Sequence, residues 1–286
     1  MMPLDILSIG SISIDYIHSQ IFFGGTAANV AVNSARLGLA AGLYSAAGES
    51  DWGMRYRTFL QSEGVRFLHP PDYLAELPEF HVFPDSSGAT EEMVFNDNGL
   101  TQAFRSVPQN EIALPAAGII HFAACEPSFI HRVLEAVPQD QLISYNPGGW
   151  LTYDVDYFSA IYPRANFLFL NAYEYGCLLS ANVLRNPLDL QKEDDQIVVI
   201  TRGSNPLWVV TDGRLFEVPV KQVPAVDETG AGDGFISAFL WAWIRKRPLQ
   251  TCLQLAITFA GLVAQQFGAQ IEPESVQTFK KLAAGL

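Results

Sequence analysis

The sequence is short of cysteine, of basic residues and of long hydrophobic runs, and each shortage excludes a class of protein. Only three cysteines, Cys125, Cys177 and Cys252, occur in the 286 residues. They are far apart and odd in number, which argues against a disulfide framework or a zinc knuckle. We expect them to be small apolar side chains in the core.

Charge and hydropathy narrow the partners further. Lysine and arginine total 17 against 30 acidic residues, so the formal net charge is −13. Nucleic acids and anionic membranes are bound chiefly through basic side chains, so neither is an expected partner. No apolar run reaches the roughly eighteen residues that span a bilayer. No basic region precedes an apolar stretch at the N-terminus, so we predict a soluble, cytoplasmic protein.

Hydrophobic periodicity predicts an α/β protein. The segment from Leu4 to Ile14 alternates as a strand does and leads into Asp15. Gly24-Gly25-Thr26 then opens a helical pattern that ends at Gly38. The same alternation recurs, with strands predicted at Gly118 to Phe122, Gln141 to Tyr145, Asn166 to Leu170 and Gln196 to Thr201, and helices at Asp51 to Ser62 and Pro127 to Ala136. Short apolar strands between amphipathic helices indicate a parallel sheet covered on both faces.

Two regions depart from that rhythm. From Phe80 to Val94, two short β-rich pieces flank Asp85-Ser86-Ser87-Gly88, which predicts a projecting hairpin. The C-terminal quarter is helical, with helices predicted after Gly232, from Leu249 to Gln266 and from Ser275. No flexible linker, low-complexity tract or internal repeat interrupts the chain. We therefore predict a single α/β domain over residues 1–286.

The segment VDETGAGDGFISAFLWAW places glycines directly before an apolar helix. Glycine lets the backbone approach an anion closely, and the free N–H groups of the first helical turn point at that anion. Asp233 lies in this turn, where it could accept a proton from a hydroxyl while the amides stabilise a transferring phosphoryl group. The alternative is a glycine-rich cap whose acid only complements the helix dipole. The segment is neither a Walker A loop nor a GxGxxG fingerprint.

A second pair of glycines opens a helix near the N-terminus. Gly24 and Gly25 precede this helix, and Asp15 ends the strand before it. In open α/β sheets ligands bind beyond the carboxyl ends of the strands, so Asp15 and Asn29 could face one cleft and hold sugar hydroxyls. The alternative is a plain turn followed by a solvent-facing Asn29.

Two later strands end in polar side chains. Asn171 and Glu174 follow FLFL one helical turn apart and could hold hydrated Mg²⁺ through oxygen ligands, although a helix cap explains the spacing equally. Thr201, Arg202 and Gly203 follow QIVVI and could meet the phosphates of a nucleotide. A simple turn before the next strand is the alternative there.

Taken in order, these segments resemble the ribokinase-like (PfkB) carbohydrate kinase family, whose signatures are a GG loop entering a helix and a DTxGAGD segment near the C-terminus. The likeness spans essentially the whole chain. Its motifs are GG…N at Gly24, Gly25 and Asn29, NxxE at Asn171 and Glu174, TxG at Thr201 and Gly203, and GAGD at Gly230 to Asp233.

The resemblance implies a doubly wound α/β core with a β lid at about residues 11–24 and 80–98, and transfer of the γ-phosphoryl group of ATP to a hydroxymethyl group of a sugar or nucleoside. It implies Asp233 as the catalytic base, with an anion hole at Gly230, Ala231 and Gly232. The acceptor would be bound by residues of the first glycine motif and the strand before it, namely Asp15, Gly24, Gly25 and Asn29.

The resemblance also implies where the cofactors bind. Asn171 and Glu174 would organise Mg²⁺ and the phosphates, and residues 201–203 (Thr201, Arg202 and Gly203) would line the nucleotide site. Relatives often bind a monovalent cation near the positions of Asp227 and Thr229, so we predict potassium there. The expected assembly is a monomer or a homodimer.

The sequence departs from the family at three points. Glu228 replaces the usual small hydroxyl residue beside the cation site. Asp15 and Gly24 are nine positions apart, where many relatives insert a longer piece of lid, so we expect the lid to be reduced to the hairpin from Phe80 to Val94. Asn146-Pro147-Gly148-Gly149 stands where relatives often carry an aspartate.

Two rival functions compete with an active kinase. A catalytically silent relative could bind a sugar or nucleoside for a regulatory role, but it would have no reason to retain Asp233 together with its glycines. A dinucleotide-binding oxidoreductase lacks the GxGxxG turn after the first strand. The sequence therefore favours the enzyme and leaves its acceptor open.

Overall fold

A nine-stranded sheet forms the centre of the protein. The computed structural model describes residues 3–17, 20–69, 76–84, 90–152 and 155–285. The strands of the central sheet are β1 (Leu4–Gly10), β4 (Ala41–Tyr44), β5 (Arg66–Leu68), β8 (Ala117–Ala123), β9 (Leu142–Asn146), β10 (Phe167–Asn171), β11 (Ile197–Arg202), β12 (Asn205–Thr211) and β13 (Arg214–Val218). Their spatial order is β13-β12-β11-β10-β9-β8-β1-β4-β5. All neighbours from β11 to β5 are parallel. At the other edge, β12 is antiparallel to both β11 and β13.

Helices cover both faces of this sheet, as predicted. They are α1 (Thr26–Arg36), α2 (Asp51–Ser62), α3 (Leu100–Ser106), α4 (Pro127–Ala136), α5 (Val155–Ile161), α6 (Ala172–Ser180), α7 (Ala231–Ile244), α8 (Leu249–Val263) and α9 (Pro273–Ala283). Side chains of α3 to α6 share one buried cluster with the sheet, and those of α1, α7, α8 and α9 share another. The architecture is doubly wound, which places the strand ends in an open edge suited to ligands.

A separate four-stranded sheet forms the lid. Its strands are β2 (Ser13–Ile17), β3 (Gln20–Gly24), β6 (Glu79–Pro84) and β7 (Thr90–Asn96), in the order β3-β2-β6-β7. These strands lie within the lid ranges that the resemblance implies, about 11–24 and 80–98, apart from Glu79. The narrower expectation of a lid reduced to the hairpin from Phe80 to Val94 was wrong, since β2 and β3 pair with each other and β2 joins β6 in parallel. The predicted turn at Asp85-Ser86-Ser87-Gly88 lies outside the described residues.

The predicted single strand from Leu4 to Ile14 was also wrong. The chain leaves the central sheet after Gly10 and enters the lid at Ser13, so one apolar run serves two sheets. Gly10 has φ 145°, and a Cβ on it would lie 1.9 Å from the carbonyl oxygen of Ala123. This close approach requires glycine and turns the chain out of the sheet.

Helix α7 is almost entirely apolar and buried, which makes it a rigid carrier for its first turn. Phe239 has no exposed surface and contacts the rings of Phe167, Phe169 and Trp243 edge-on or stacked. Replacing such a residue by alanine costs about 3–5 kcal/mol of stability. Packing of this kind holds the N-terminus of the helix in one place.

The cysteines behave largely as expected. Cys125 and Cys252 are buried and Cys177 is half-buried, and all three are free thiols. None of the described helices is both long enough and apolar enough to cross a membrane.

Candidate active site

Asp15 is a buried carboxylate in the lid. It lies in β2 and is 4% exposed, and the hydroxyl of Ser13 donates a hydrogen bond to its Oδ1. Burial raises its pKa to about 6, the Ser13 hydrogen bond opposes that rise, and the charge of Asp227 adds to it. A Cβ on Gly24 would lie 1.8 Å from its Oδ2, so the backbone of β3 runs directly against this carboxylate.

The first glycine motif turns the chain from the lid into α1. Gly25 is the N-cap residue with φ 94°, and a Cβ on it would lie 2.3 Å from the Cα of Ile12. The carbonyl oxygen of Gly24 accepts a hydrogen bond from the hydroxyl of Tyr56 at 2.5 Å. Crowding therefore excludes a side chain at both glycines. The polar side chains of this segment are those of Asp15 and of the first turn of α1.

Asn29 and Asp233 meet across the interface of α1 and α7. The Asn29 amide nitrogen Nδ2 donates to Oδ2 of Asp233 at 2.8 Å, and both side chains are buried. Burial raises the pKa of Asp233 to about 7, the Asn29 hydrogen bond opposes the rise, and the charges of Asp15 and Glu174 add to it. A group that exchanges a proton near neutrality suits general base catalysis.

The two glycines at the start of α7 differ in their surroundings: Gly230 is crowded, and Gly232 is open on its Cβ side. Gly230 is the N-cap with φ 73°, and its Cβ would overlap Ala269. The N–H of Ala231, predicted for the anion hole, donates instead to the carbonyl oxygen of Glu228 at 3.2 Å. Among the described residues, and apart from its chain neighbours and the nearby backbone of its own helix, no atom lies within 4 Å of the position a Cβ would take on Gly232. This open space lies beside Asp233, as an anion site requires.

Asn171 and Glu174 form a reciprocal capping box at the start of α6. Asn171 Oδ1 accepts from the Glu174 backbone N–H, and Glu174 Oε2 accepts from the Asn171 backbone N–H, both at 2.8 Å. Glu174 is nevertheless buried, and burial raises its pKa to about 7. The capping alternative is correct for the geometry, yet a buried carboxylate with one oxygen outside the cap retains capacity for a hydrated cation.

Asn146 explains one departure from the family pattern. Its Nδ2 donates to the carbonyl oxygen of Phe169 at 3.0 Å and lies 3.5 Å from Glu174 Oε2. An aspartate at this position would add a negative charge next to a carboxylate that is already hard to ionise. The amide instead provides a donor, which opposes the rise in the pKa of Glu174.

The residues predicted for the nucleotide site diverge in their contacts. Thr201 pairs with Asn171 on the neighbouring strand, and its hydroxyl lies 3.4 Å from the carbonyl oxygen of Leu170. The guanidinium of Arg202 lies 4.0 Å from the ring centre of Trp208 and 3.5 Å from Glu217. Gly203 has φ 61° with open space beside it. Arg202 is thus held on the β12–β13 edge, and the nucleotide roles of all three stay predictions.

Asp227 organises the loops at the predicted cation site. Its two carboxylate oxygens accept the backbone N–H groups of Thr229 at 2.9 Å and Gly268 at 3.0 Å. In the described part of the chain no group of three or more His, Cys, Asp or Glu side chains could hold a metal ion. The potassium site at Asp227 and Thr229 stays a prediction.

Sequence reasoning missed two sets of residues around this site. Gln270 donates to Asn29 Oδ1 at 3.2 Å and to the carbonyl oxygen of Phe23 at 2.6 Å, and no motif marks it. Phe22, Phe80 and Phe95 pair across the lid in the same row as Asp15, which follows only from strand register. The Ser13 contact could have been inferred, since Ser13 and Asp15 share a face of a strand.

Comparisons with known proteins agree with this geometry. A sequence model for the pfkB family of carbohydrate kinases matches residues 6–275. The nucleoside kinase of Methanothermobacter thermautotrophicus is 28% identical, covering 98% of this chain and 96% of its own length. The ATP-dependent ribose-1-phosphate kinase of Halopiger xanaduensis is 29% identical, covering 87% and 83%.

A solved structure supports the fold. The crystal structure of the Methanocaldococcus jannaschii nucleoside kinase, an archaeal member of the ribokinase family, superposes with a TM-score of 0.78. The alignment covers 97% of this chain and 98% of that chain at 22% identity. The central sheet, the flanking helices and the separate lid sheet are thus a ribokinase fold.

Proposed function

Since the chain belongs to the pfkB family of carbohydrate kinases, we propose that it phosphorylates the hydroxymethyl group of a nucleoside, with Asp233 as the base. The family match and its relatives make it an ATP-dependent sugar or nucleoside kinase. The proposal adds the acceptor and the roles of individual residues.

The observation that carries the catalytic part is the pairing of a buried carboxylate with an open anion site. Asp233 faces the donor amide of Asn29, and the space beside Gly232 is empty on the side where a Cβ would project. Among the described residues, the backbone N–H groups of Gly232 and Asp233 have no acceptor, so they can donate to a phosphate oxygen. A hydroxyl between these groups would lose its proton to Asp233 while its oxygen attacks the γ-phosphorus, and the bond from that phosphorus to the β–γ bridging oxygen would break to release ADP.

Phosphate charge must be balanced locally, because the protein is acidic. Magnesium supplies electrostatic stabilisation of the transferring phosphoryl group when bound. Glu174 and Asn171 are the residues that would hold it, since Glu174 combines burial with a carboxylate oxygen outside the capping box. Helix α7 supplies the remaining positive potential from its N-terminus without any basic side chain.

The lid supports a nucleoside as acceptor. Register places Phe22, Asp15, Phe80 and Phe95 side by side on β3, β2, β6 and β7, and paired residues project from the same face of a sheet. Asp15 can accept hydrogen bonds from ribose hydroxyls, and the neighbouring rings offer an apolar surface for a flat base. Phe95 is 51% exposed on that face.

A phosphorylated sugar is the weaker candidate. The ionisable groups that converge on the site are Asp15, Glu174 and Asp233, and each of them would repel a second phosphate. The names of relatives include both a nucleoside kinase and a ribose-1-phosphate kinase, so the sequence likeness alone does not choose. The aromatic row favours the nucleoside.

The test is an acceptor panel with matched lid variants. ATP consumption with Mg²⁺, with and without K⁺, would be measured against nucleosides, free pentoses, hexoses and ribose phosphates. Phe95→Ala should raise the nucleoside KM about 10-fold, because base stacking on an aromatic ring contributes about 1–3 kcal/mol. Phe83→Ala is the control, since Phe83 is 48% exposed on the opposite face of the lid. Turnover of free sugars only, or equal effects of the two variants, would contradict the nucleoside.

A further inference from the structure

Gln270 connects the lid to the partner of the catalytic base. Its side-chain nitrogen Nε2 donates to the carbonyl oxygen of Phe23 in β3 at 2.6 Å and to Oδ1 of Asn29 at 3.2 Å. A primary amide nitrogen has two hydrogens, so this geometry assigns one to the lid and one to α1. Asn29 in turn donates to Asp233.

The backbone around Gln270 is tied down on both sides. The N–H of Gly268 is bound by Asp227, and the carbonyl oxygen of Ala269 accepts from the side chain of Asn33 at 3.2 Å. The N–H of Ile271 donates to the same Asn33 at 2.9 Å. Asn33 lies one helical turn after Asn29 on the same face of α1. The loop is therefore fixed against α1, and the side chain of Gln270 is directed rather than free.

The hydrogen bond from Gln270 determines which way the Asn29 amide faces. An asparagine amide has a donor side and an acceptor side, and Gln270 occupies the acceptor side. The donor side is thereby held towards Asp233. If the amide rotated, its oxygen would face the carboxylate, and Asp233 would lose the hydrogen bond that opposes the effect of burial on its pKa.

We propose that Gln270 is a positioning residue that orients Asn29 towards Asp233 and links that orientation to the seating of lid strand β3. The proposal rests on Asp233 being the base of the proposed reaction. Gln270 need not touch substrate. Its side-chain amide bonds both to the lid and to Asn29, and Asn29 bonds to Asp233.

The variants are chosen to separate positioning from general support. Gln270→Met keeps the length of the side chain and removes both donors. Gln270→Glu replaces the donors by a carboxylate, which would repel Asn29 Oδ1 and favour rotation of the amide, so it should be the more harmful change. Gln266→Met is the matched control: Gln266 lies in the same loop, and within the described chain its side chain bonds to the backbone of Gln270 and Glu272 and to no other residue.

The kinetic test compares kcat, KM and the pH profile. Gln270→Met should lower kcat about 10-fold and move the acidic limb of kcat/KM to higher pH, whereas Gln266→Met should leave that limb in place. In an Asn29→Ala background the Gln270→Met change should cause no further shift of the acidic limb, although the lost bond to Phe23 can still alter KM. Independent shifts of that limb that add, or an unshifted limb in Gln270→Met, would overturn the proposal.

A second readout does not depend on turnover. The carboxyl pKa of Asp233 can be followed by ¹³C NMR in aspartate-labelled protein, with Asp233→Asn to assign the signal. It should rise in Gln270→Met as it does in Asn29→Ala, and stay unchanged in Gln266→Met. If the wild-type protein has no kinase activity, the proposed function is wrong. The titration would still decide whether Gln270 positions Asn29.

Discussion

Asn29 donates its side-chain amide to the carboxylate of Asp233 at 2.8 Å, although the two residues are 204 positions apart in the sequence. The contact joins the first turns of two helices that each begin at a glycine, α1 after Gly25 and α7 after Gly230. In the proposed function, this one hydrogen bond joins the residues that bind the acceptor to those that bind the phosphate. The burial that makes Asp233 basic enough to act also makes its charge expensive to maintain.

Replacing the base should abolish most turnover. Asp233→Asn keeps the shape and the burial but cannot accept a proton, so kcat should fall by about 10²–10⁴-fold. Steady-state kinetics with the best acceptor measures the loss, and calorimetric titration with ATP checks that binding persists. Activity close to that of the wild type would remove Asp233 from the role of base.

The same substitution should make the protein more stable at alkaline pH. The pKa of Asp233 is raised in the folded state from an ordinary 3.8 to about 7, so its ionisation opposes folding increasingly between those values. At pH 8, Asp233→Asn should gain on the order of 4 kcal/mol of unfolding free energy. Urea unfolding should show the gain shrinking steadily between pH 7 and pH 5. A gain independent of pH would contradict this origin.

Replacing Gly232 by alanine should raise stability and lower activity. An alanine there fills the open space next to Asp233, and it also removes conformational freedom from the unfolded chain, which stabilises by about 0.4–1 kcal/mol. Gly232→Ala should therefore raise Tm while lowering kcat/KM for ATP at least about 10-fold, because its methyl group occupies the phosphate position.

Gly176 provides the matched control for that change. It lies within α6, and outside that helix a Cβ on it would likewise meet no atom of the described chain within 4 Å. Gly176→Ala should give a similar gain in Tm and leave kcat/KM unchanged. If both variants lose activity, or neither does, the open space beside Gly232 is not the phosphate site.

Activity should rise with pH up to neutrality. Burial raises the pKa values of Asp15 to about 6 and of Glu174 and Asp233 to about 7, and the proposed reaction needs each as a carboxylate. Below pH 6, kcat/KM should fall with a slope steeper than one proton, since the groups titrate together. A profile measured from pH 5 to pH 9 in constant ionic strength tests this. A flat profile would show that none of them limits the reaction.

What could be read from the sequence was local. The glycines before Asp233 and the polar ends of successive strands predicted the candidate site, because parallel strands bring their carboxyl ends together. The split between β1 and β2 could not be read, since Gly10 looks like any glycine within a strand until Ala123 comes against it. The contact of Arg202 with the ring of Trp208 could not be read either, since Trp208 comes from the next strand, and the nucleotide role of Arg202 stays a prediction.

Contacts that depend on register or on distant loops also escaped prediction. The row that contains Asp15, Phe80 and Phe95 exists only because β2 joins β6 in one particular alignment. Gln270 reaches Asn29 from the far end of the chain, and glutamine has no periodic or motif signal of its own. Contacts of this kind are formed when distant segments pack together, and no local sequence pattern indicates them.

The lid also bears on the order in which the chain folds. Its central pairing joins Ile14 to Glu79, and the strand β4, the helix α2 and the strand β5 all lie between them in the chain. The entropy of closing so long a loop is recovered only after the intervening elements have packed. We therefore expect the lid to assemble only after these intervening elements have packed, so that its four strands are joined later than the local β4–α2–β5 unit that lies between them in the chain.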